Sequence, residues 1–575
     1  MKKMMASFAA LLLLATVALR VNAAQYVENK QLSQVVTAKV GDVKSGTIPL
    51  PVITWGGDVA TLLANGGDVK TQPNSLFAAQ KLDFKIIRKD VFADQVKDYI
   101  AGTTPYIRGT LGMINQSLSA LKDPRLRPVV VYQMTWSSGG DVLVVRPSVK
   151  DASDLRGKTI VVQAYGPHVD FMVQTLKDAG VDVKDVTIKY VKDITGTDDS
   201  PDAAFRADPS VDAVFCISPD ADNLTGGPGK VGTGAEKSVK GAHYLMSTKT
   251  ADHVIADVYA VRSDYLAAHP AEVEAFVNAL MNAQEQLADL SKSSARKAEY
   301  DKFMTQAAFV YLDSKDAVND AKGLLDGCTF VGYQGNIKFF SDSSYPRRFD
   351  KISSENQTAL IALGLLSSKT TLASAGFDYS KIKQGLRNTA VEAESPRFDA
   401  GAVAALVAKK GDALNSVFTF EIQFEPNMAD FDSSKYADQF TKVIEMVSTY
   451  SGAILTVEGH TDPNKYLSAL RSENTPQLEL KQIMQVNINT SLKRANRVKE
   501  ELVAFATSQG VKLDESQITT VGQGCMKPKK GVEKTGPFKG QPLPSLNEAE
   551  WRANMRVVFR VANVEAESEL FTPVK

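Results

Sequence analysis

From Pro51 to Val261 the chain repeats one rhythm: a short apolar run, a turn, then a stretch with helical spacing. Two parallel strands need a crossover long enough to carry the chain back to the same end of the sheet, and a helix usually supplies it. The rhythm therefore predicts an α/β class with parallel sheets and crossover helices. Pro51–Thr54 reads as a strand entering Trp55-Gly56-Gly57-Asp58 and a helix, and Phe84–Ile87 as a second strand. Pro128–Tyr132 begins a third stretch, which reaches Asp141–Val145 after Gly139-Gly140. A second set starts at Asp154–Thr159 with strand Ile160–Gln163, the turn Ala164-Tyr165-Gly166-Pro167-His168, and a helix ending near Gly180. Strands Thr187–Val191 and Asp212–Cys216 complete it, and Val254–Val261 crosses back. Pro270 then opens a long helix, a position where its missing N–H leaves nothing unpaired. Val273, Phe276, Val277, Leu280 and Met281 give that helix an apolar stripe.

A chain of 575 residues has room for roughly two or three domains. Lys+Arg and Asp+Glu both number 66, and this balance argues against nucleic acid, whose binders concentrate basic surface. Lys2 and Lys3, the apolar run Met4–Leu19, and Val21-Asn22-Ala23 read as an export signal of residues 1–23. The run is shorter than the roughly 20 apolar residues a spanning helix wants. No cysteine follows it, so a lipid-modified start is not expected. Cys216, Cys328 and Cys525 are widely spaced; one disulfide stays open, and buried thiols are the plainer reading. Gly157-Lys158-Thr159 looks like the end of a phosphate loop, but Ala152 stands where the first glycine is needed, so it is no nucleotide site.

Residues 391–412 are alanine-rich and weakly patterned, a connector or short helix. A new unit follows, about 413–565, after the α/β region of 48–390. Val417–Phe424 reads as a strand, and after the Glu425-Pro426-Asn427 turn Asp432 can cap a helix carrying Tyr436, Phe440, Val443, Ile444 and Val447 on one face. Strand Ile454–Glu458 delivers Gly459-His460-Thr461-Asp462, and Ser491 is placed to cap a second helix with Ala495, Val498, Leu502 and Val503 inward. Ile518–Val521 and Arg556–Val561 supply two more strands. Asp462 can accept from an ammonium group, and Arg494 offers a planar fork matched to a carboxylate, so together they suit a zwitterion. Arg494 near a helix start would be disfavoured by the dipole and would want an anion. An internal Asp462–Arg494 ion pair is the alternative.

In the first region, DLRGKTIVVQAYG, then Asp208-Pro-Ser-Val-Asp-Ala-Val214, then AVRSDYLAAHPAEVEAFVNAL resemble ABC-transporter substrate-binding proteins of the nitrate/sulfonate/taurine and thiamine-precursor type. Asn336-Ile-Lys-Phe339-Phe340 resembles a C-terminal feature of the same group. The resemblance implies a two-lobed periplasmic-binding-protein fold (type 2), with lobe one about 48–145 plus 255–345 and lobe two about 146–254. Such sheets bind ligands beyond the carboxyl ends of their strands. That places Trp55, Gly56, Gly57, Asp58, Tyr165, Gly166, Pro167 and His168 at a solute cleft, with Gly112, Ser218 and Asp220 on loops beside it. Trp and Tyr supply flat walls, and glycines let a ligand approach backbone amides. Asp58 and Asp170, in first helical turns, more simply complement the dipole, and they weigh against a purely anionic solute.

In the second unit, Gly459–Asp462, Ser491-x-x-Arg494-Ala495 and Asn554-x-Arg556-Val557 resemble the OmpA-like peptidoglycan-binding domain, an α+β fold. The resemblance implies that Asp462 and Arg494 grip the diaminopimelate of the peptide stem, with Thr461, Asn487, Asn427 and Arg556 lining the pocket. Met555 replaces the family's usual first arginine, and Asp462 and Arg494 lie 32 positions apart, about twice the usual spacing. The extra residues, roughly 465–485, are expected to form a helix beside the pocket.

With five histidines and no HExxH, CxxC or GxSxG pattern, no catalytic set or cofactor is expected. The combined reading is a periplasmic, wall-associated solute-binding protein of a Gram-negative-type envelope, delivering a small polar solute to an ABC-transporter permease. The competing reading is an envelope interaction or sensor protein whose lobed module no longer serves transport. Each unit is expected to fold and work alone.

Overall fold

The computed structural model describes residues 24–390, 396–423, 433–472, 474–529 and 548–571. The expected export signal, Asn427 and Asp432 lie outside the described residues.

The α/β region builds three sheets, two in the first lobe and one in the second. In the first lobe Ile48–Val52 pairs in parallel with Phe84–Arg88, as the crossover argument requires. A separate sheet beside them runs Cys328–Phe330, Pro128–Ser137, Ala256–Arg262, Tyr106–Thr110 with these neighbours antiparallel, and Ala373–Ser374 joins Pro128–Ser137 in parallel. The reason is topological: Ala256–Arg262 returns from the other lobe and inserts between Tyr106–Thr110 and Pro128–Ser137 against their direction. The lobe-two sheet runs Thr187–Val191, Thr159–Gln163, Ala213–Ile217, Asp141–Val145, His243–Ser247. Its first three strands are parallel and its last three antiparallel. Asp141–Val145 thus belongs to lobe two, not to lobe one as the sequence boundary had it. The long helix Pro270–Lys292 buries Val273, Phe276, Val277, Leu280 and Met281, the expected stripe.

Arg108, in the strand Tyr106–Thr110, is fully buried. Its guanidinium donates to both carboxylate oxygens of Asp58 and, at 2.9 Å, to Asp257. Thr135 donates to the other oxygen of Asp257 and accepts from the Trp55 indole. One charge held between two carboxylates ties the helix Asp58–Ala64 to two strands of the sheet. Asp58 therefore serves an ion pair rather than the helix dipole.

Two crossovers join the lobes, residues 138–140 and 248–255. Thr248 lashes them together: its hydroxyl lies 2.7 Å from Ser137 Oγ and accepts from the amides of Gly139 and Asp141. Its amide donates to the Asp141 carbonyl at 2.8 Å.

The C-terminal sheet runs Ser416–Gln423, Arg556–Ala562, Ile454–Gly459, Ile518–Gly522. Only the last pair is parallel, and the helix Gln477–Ser508 makes its crossover. Helix Ala437–Thr449 buries Phe440, Val443, Ile444 and Val447, as expected, while Tyr436 precedes the helix and is only partly buried. Helix Ala400–Lys410, in the stretch read as a connector or short helix, buries Val403, Leu406 and Val407 in one cluster with Ile454 and Ala562. Ser491 does not cap a helix. It lies midway along 477–508, where no glycine or proline breaks the run. Its hydroxyl donates to the Ile488 carbonyl and accepts from the Gly524 amide.

The units are not self-contained. A continuous apolar cluster runs from Phe171 and Phe339 through Tyr450 to Phe418 and Val457. Around it, Tyr450 donates to Asp178 at 2.7 Å, Ser451 to Asp252 at 2.8 Å, and Arg397 pairs with Asp252 at 2.5 Å. Burial alone would raise the Asp252 carboxyl, but His253, Arg397 and Ser451 outweigh it and hold it at about 2.

Two outcomes are expected. Arg108→Ala strands Asp58 and Asp257 without their cation and should cost about 3–5 kcal/mol, read by urea unfolding; a loss under about 1 kcal/mol would contradict the pairing. Asp252 has a depressed pKa, so its contribution is present above pH ~4 and lost as the pH falls toward 2. Asp252→Asn should lower stability at pH 7 by about 2 kcal/mol and flatten the acid limb of the stability curve.

Candidate functional site

Two groups of side chains carry chemistry. The first lies where the lobes meet. Trp55 leads into the helix Asp58–Ala64, and its ring lies so close over Gly140 that a Cβ there would sit 2.4 Å from it. Gly56 is covered by the backbone of Leu324 and Leu325, and Gly57 by Met134 and Thr135. These positions converge on the junction, but the chain's own atoms fill the space beside them.

The opposite face comes from lobe two. Tyr165 has a left-handed backbone, φ 59°, unusual for a non-glycine residue and a mark of local constraint. Its hydroxyl donates to the Lys30 carbonyl and accepts from the Lys30 amide. Gly166 leaves room for the Gln163 side chain, and Ser218 donates its amide to the Gly140 carbonyl. His168 is buried with Nε2 2.9 Å from Asp141 Oδ1. Asp170 reaches across the junction to accept from the Gly112 amide at 3.1 Å. A Cβ on Gly112 would lie 1.6 Å from the Asp170 carboxylate, so this approach requires glycine. Burial lifts Asp170 to about 7; Thr110 and Gly112 pull it down, while Asp257 and Asp141 push it up. Asp220 is raised to about 6 by burial and by Asp202. The junction is therefore rich in carboxylates, and its Arg108 is already committed to two of them.

Two further segments span the junction. Val27 pairs with Tyr190 and Tyr26 donates to Asp208 on lobe two, while Leu32 is buried with lobe one and Ser33 donates to Ser119. Helix Phe349–Ala362 touches both sides: Ser353 and Gln357 donate to Asn115, and Glu355 pairs with Lys177 at 2.8 Å.

The second group stands at the end of strand Ile454–Gly459. Gly459 abuts the Ser491 carbonyl so closely that a Cβ would meet it at 1.9 Å. This contact sets the strand end against the middle of the helix Gln477–Ser508. Arg494 comes to lie beside the turn, donating to the His460 carbonyl at 3.2 Å and to Met555 Sδ at 3.8 Å. It has no carboxylate partner among the described residues, and burial pulls its pKa down. Mid-helix, it gains nothing from a terminal dipole, which corrects the sequence argument. Asp462 follows two residues after His460, half-buried, accepting from the Asn464 amide at 2.8 Å. Thr461 donates its amide to Gly524, and its buried hydroxyl has no partner among the described residues. Asn487 donates back to Ile483 within the helix, one turn before Ser491. Arg556 pairs with Glu421 at 3.3 Å and donates to the Lys527 carbonyl. The extra segment forms the helix Asn464–Arg471 and the first turns of 477–508.

Sequence reasoning missed Arg108, Asp257, Asp141, Asp252 and Glu565. The signal for the first three was present: charges inside or opening otherwise apolar strands are buried and must be paired. Among the described residues no three His, Cys, Asp or Glu side chains gather to hold a metal ion, and the three cysteines are free.

Residues 110–289 match a family model described as NMT1/THI5 like. No curated protein matches the chain. Among solved structures, the periplasmic aliphatic sulphonate binding protein SsuA from Escherichia coli is similar at 13% identity, covering 61% of this chain and 97% of that one, with TM-score 0.41. The periplasmic nitrate-binding protein NrtA from Synechocystis PCC 6803 is similar at 14% identity, covering 60% of this chain and 90% of that one, with TM-score 0.40. The desulfurization enzyme DSZB is similar at 17% identity, covering 60% of this chain and all of that one, with TM-score 0.35.

Proposed function

We propose that this protein is a periplasmic binder of a small polar solute, held at the cell wall by its C-terminal unit, and that it presents the solute to an ABC-transporter permease. The observation that carries the wall-binding part is Arg494. Its guanidinium is half-buried and bonded only to a carbonyl and a thioether among the described residues, and Asp462 follows the same turn. A guanidinium in such a place gains from an incoming carboxylate, and Asp462 can take the ammonium of the same head group. A diaminopimelate stem has both. The NMT1/THI5-like match across 110–289, which spans most of the lobe junction, supports the solute-binding part. Binding would proceed by lobe opening and closure, the closed state gaining contacts across the junction.

A specific observation favours the second reading, an envelope interaction protein whose lobed module no longer serves transport. Several groups at the junction already have partners: Asp170 holds Gly112, His168 holds Asp141 through Nε2, and Tyr165 holds Lys30. A solute must displace them to enter.

Asp462→Ala and Arg494→Ala should each cost about 2–5 kcal/mol of wall affinity, because each leaves a ligand charge unpaired. Co-sedimentation with diaminopimelate-type peptidoglycan reads the effect, and variants that pellet like the parent would sink the anchor. For the lobed module, polar zwitterions, neutral solutes and sulfonates should be screened by thermal shift on the full chain. A saturable stabilisation by any of them supports solute binding; a flat panel, with no small molecule released on denaturation, leaves the interaction-protein reading in its place.

A further inference from the structure

We propose that the C-terminal unit is a brake on the hinge between the lobes. Any opening must change the backbone of the two crossovers, which Thr248 holds side by side. The C-terminal unit is seated on the second crossover along its length. Glu565 accepts from the Ser247 amide at 2.8 Å and from the Thr250 hydroxyl, and Asn563 donates to the Leu245 carbonyl at 3.1 Å. Asp252 is held by Arg397 and by the Ser451 amide and hydroxyl. The His253 amide donates to Thr449, and the Gly452 amide to Thr250. Gly452 lies so close to the crossover that a Cβ would fall 1.7 Å from the Lys249 carbonyl. Thr250, Asp252 and Glu565 are all buried, so these bonds are shielded from competing water.

The same unit also grips the moving part. Tyr450 bonds Asp178 at the end of the lobe-two helix His168–Asp178, and Glu445 pairs with Lys351 on the helix that bridges both lobes. Arg347 closes the circuit, donating to the His253 carbonyl and pairing with Glu355, which in turn holds Lys177. Lobe two, the hinge and the C-terminal unit therefore move as one body or not at all. Opening requires lobe one to leave that body, or the unit to undock first. Whatever loads the C-terminal unit is mechanically joined to the angle between the lobes.

The test is amide exchange on the full chain, read at Gly112, Gly139 and Asp141. The first of these donates across the lobe junction and the other two donate to Thr248; none touches the C-terminal unit. In the Arg397→Ala/Glu565→Ala double variant they should exchange about tenfold faster or more, while Ile160–Val162 in the lobe-two sheet stay as in the parent. The proposal is overturned if Ser247 and His253 are released but Gly112, Gly139 and Asp141 keep the parent rate, since the hinge is then rigid by itself. It is equally overturned if the double variant releases no amide at all. Should the sheet amides also speed up, the double variant has lost its fold, and Glu565→Ala alone, read at the same three amides, decides between the same outcomes.

Discussion

The hydroxyl and amide of Thr248 hold two crossover segments together, and most of the molecule is arranged around that lashing. Each crossover carries the chain between sheets, so their separation and angle set how the lobes face each other. With the crossovers side by side and bonded, the helix starts at Leu111 and His168 come into opposition, and the Asp170 carboxylate reaches the Gly112 amide. The segment 26–33 and the helix Phe349–Ala362 reinforce the closed arrangement from outside. The C-terminal unit completes it from the hinge side.

The two candidate sites have opposite electrostatic needs. At the lobe junction, carboxylates outnumber cations: Asp58, Asp257, Asp141, Asp170 and Asp220 are all buried, and the nearby Arg108 is already shared by two of them. Buried carboxylates without a cation ionise reluctantly, and Asp170 is accordingly lifted to about 7. A purely anionic solute would add charge of the same sign, whereas a zwitterion or neutral polar molecule would not. At the C-terminal site the Arg494 guanidinium has no carboxylate partner among the described residues, and a carboxylate is the group that would complement it.

Much of this was legible along the chain. Apolar runs at strand length, punctuated by glycine and proline, located most strands but not Tyr106–Thr110, His243–Ser247, Cys328–Phe330 or Ala373–Ser374, and the stripe from Val273 to Met281 located the long lobe-one helix. The turn 459–462 and Arg494 were singled out as neighbours, and a bond between Arg494 and the His460 carbonyl places them side by side. The errors share a cause. Ser491 looked like a cap because capping residues are recognised by type, yet a serine can bond its own helix when the run around it contains no breaker. Strand Asp141–Val145 was assigned to the wrong lobe because lobe membership depends on pairing, which local pattern does not record.

By itself the sequence determined the kinds of element, their order, and the residue types available at each turn, because those follow from periodicity, side-chain shape and backbone preference within a few residues. Tertiary structure alone decided which charged groups met which partners: Arg108 with Asp58 and Asp257, Arg397 with Asp252, and Glu565 with the Thr250 hydroxyl. These partners are 50 to 315 positions apart. Coulombic attraction and hydrogen bonding act over a few ångströms of space, whatever the distance along the chain. Only the packed sheets brought those groups together, and with them joined two units that read as independent into one.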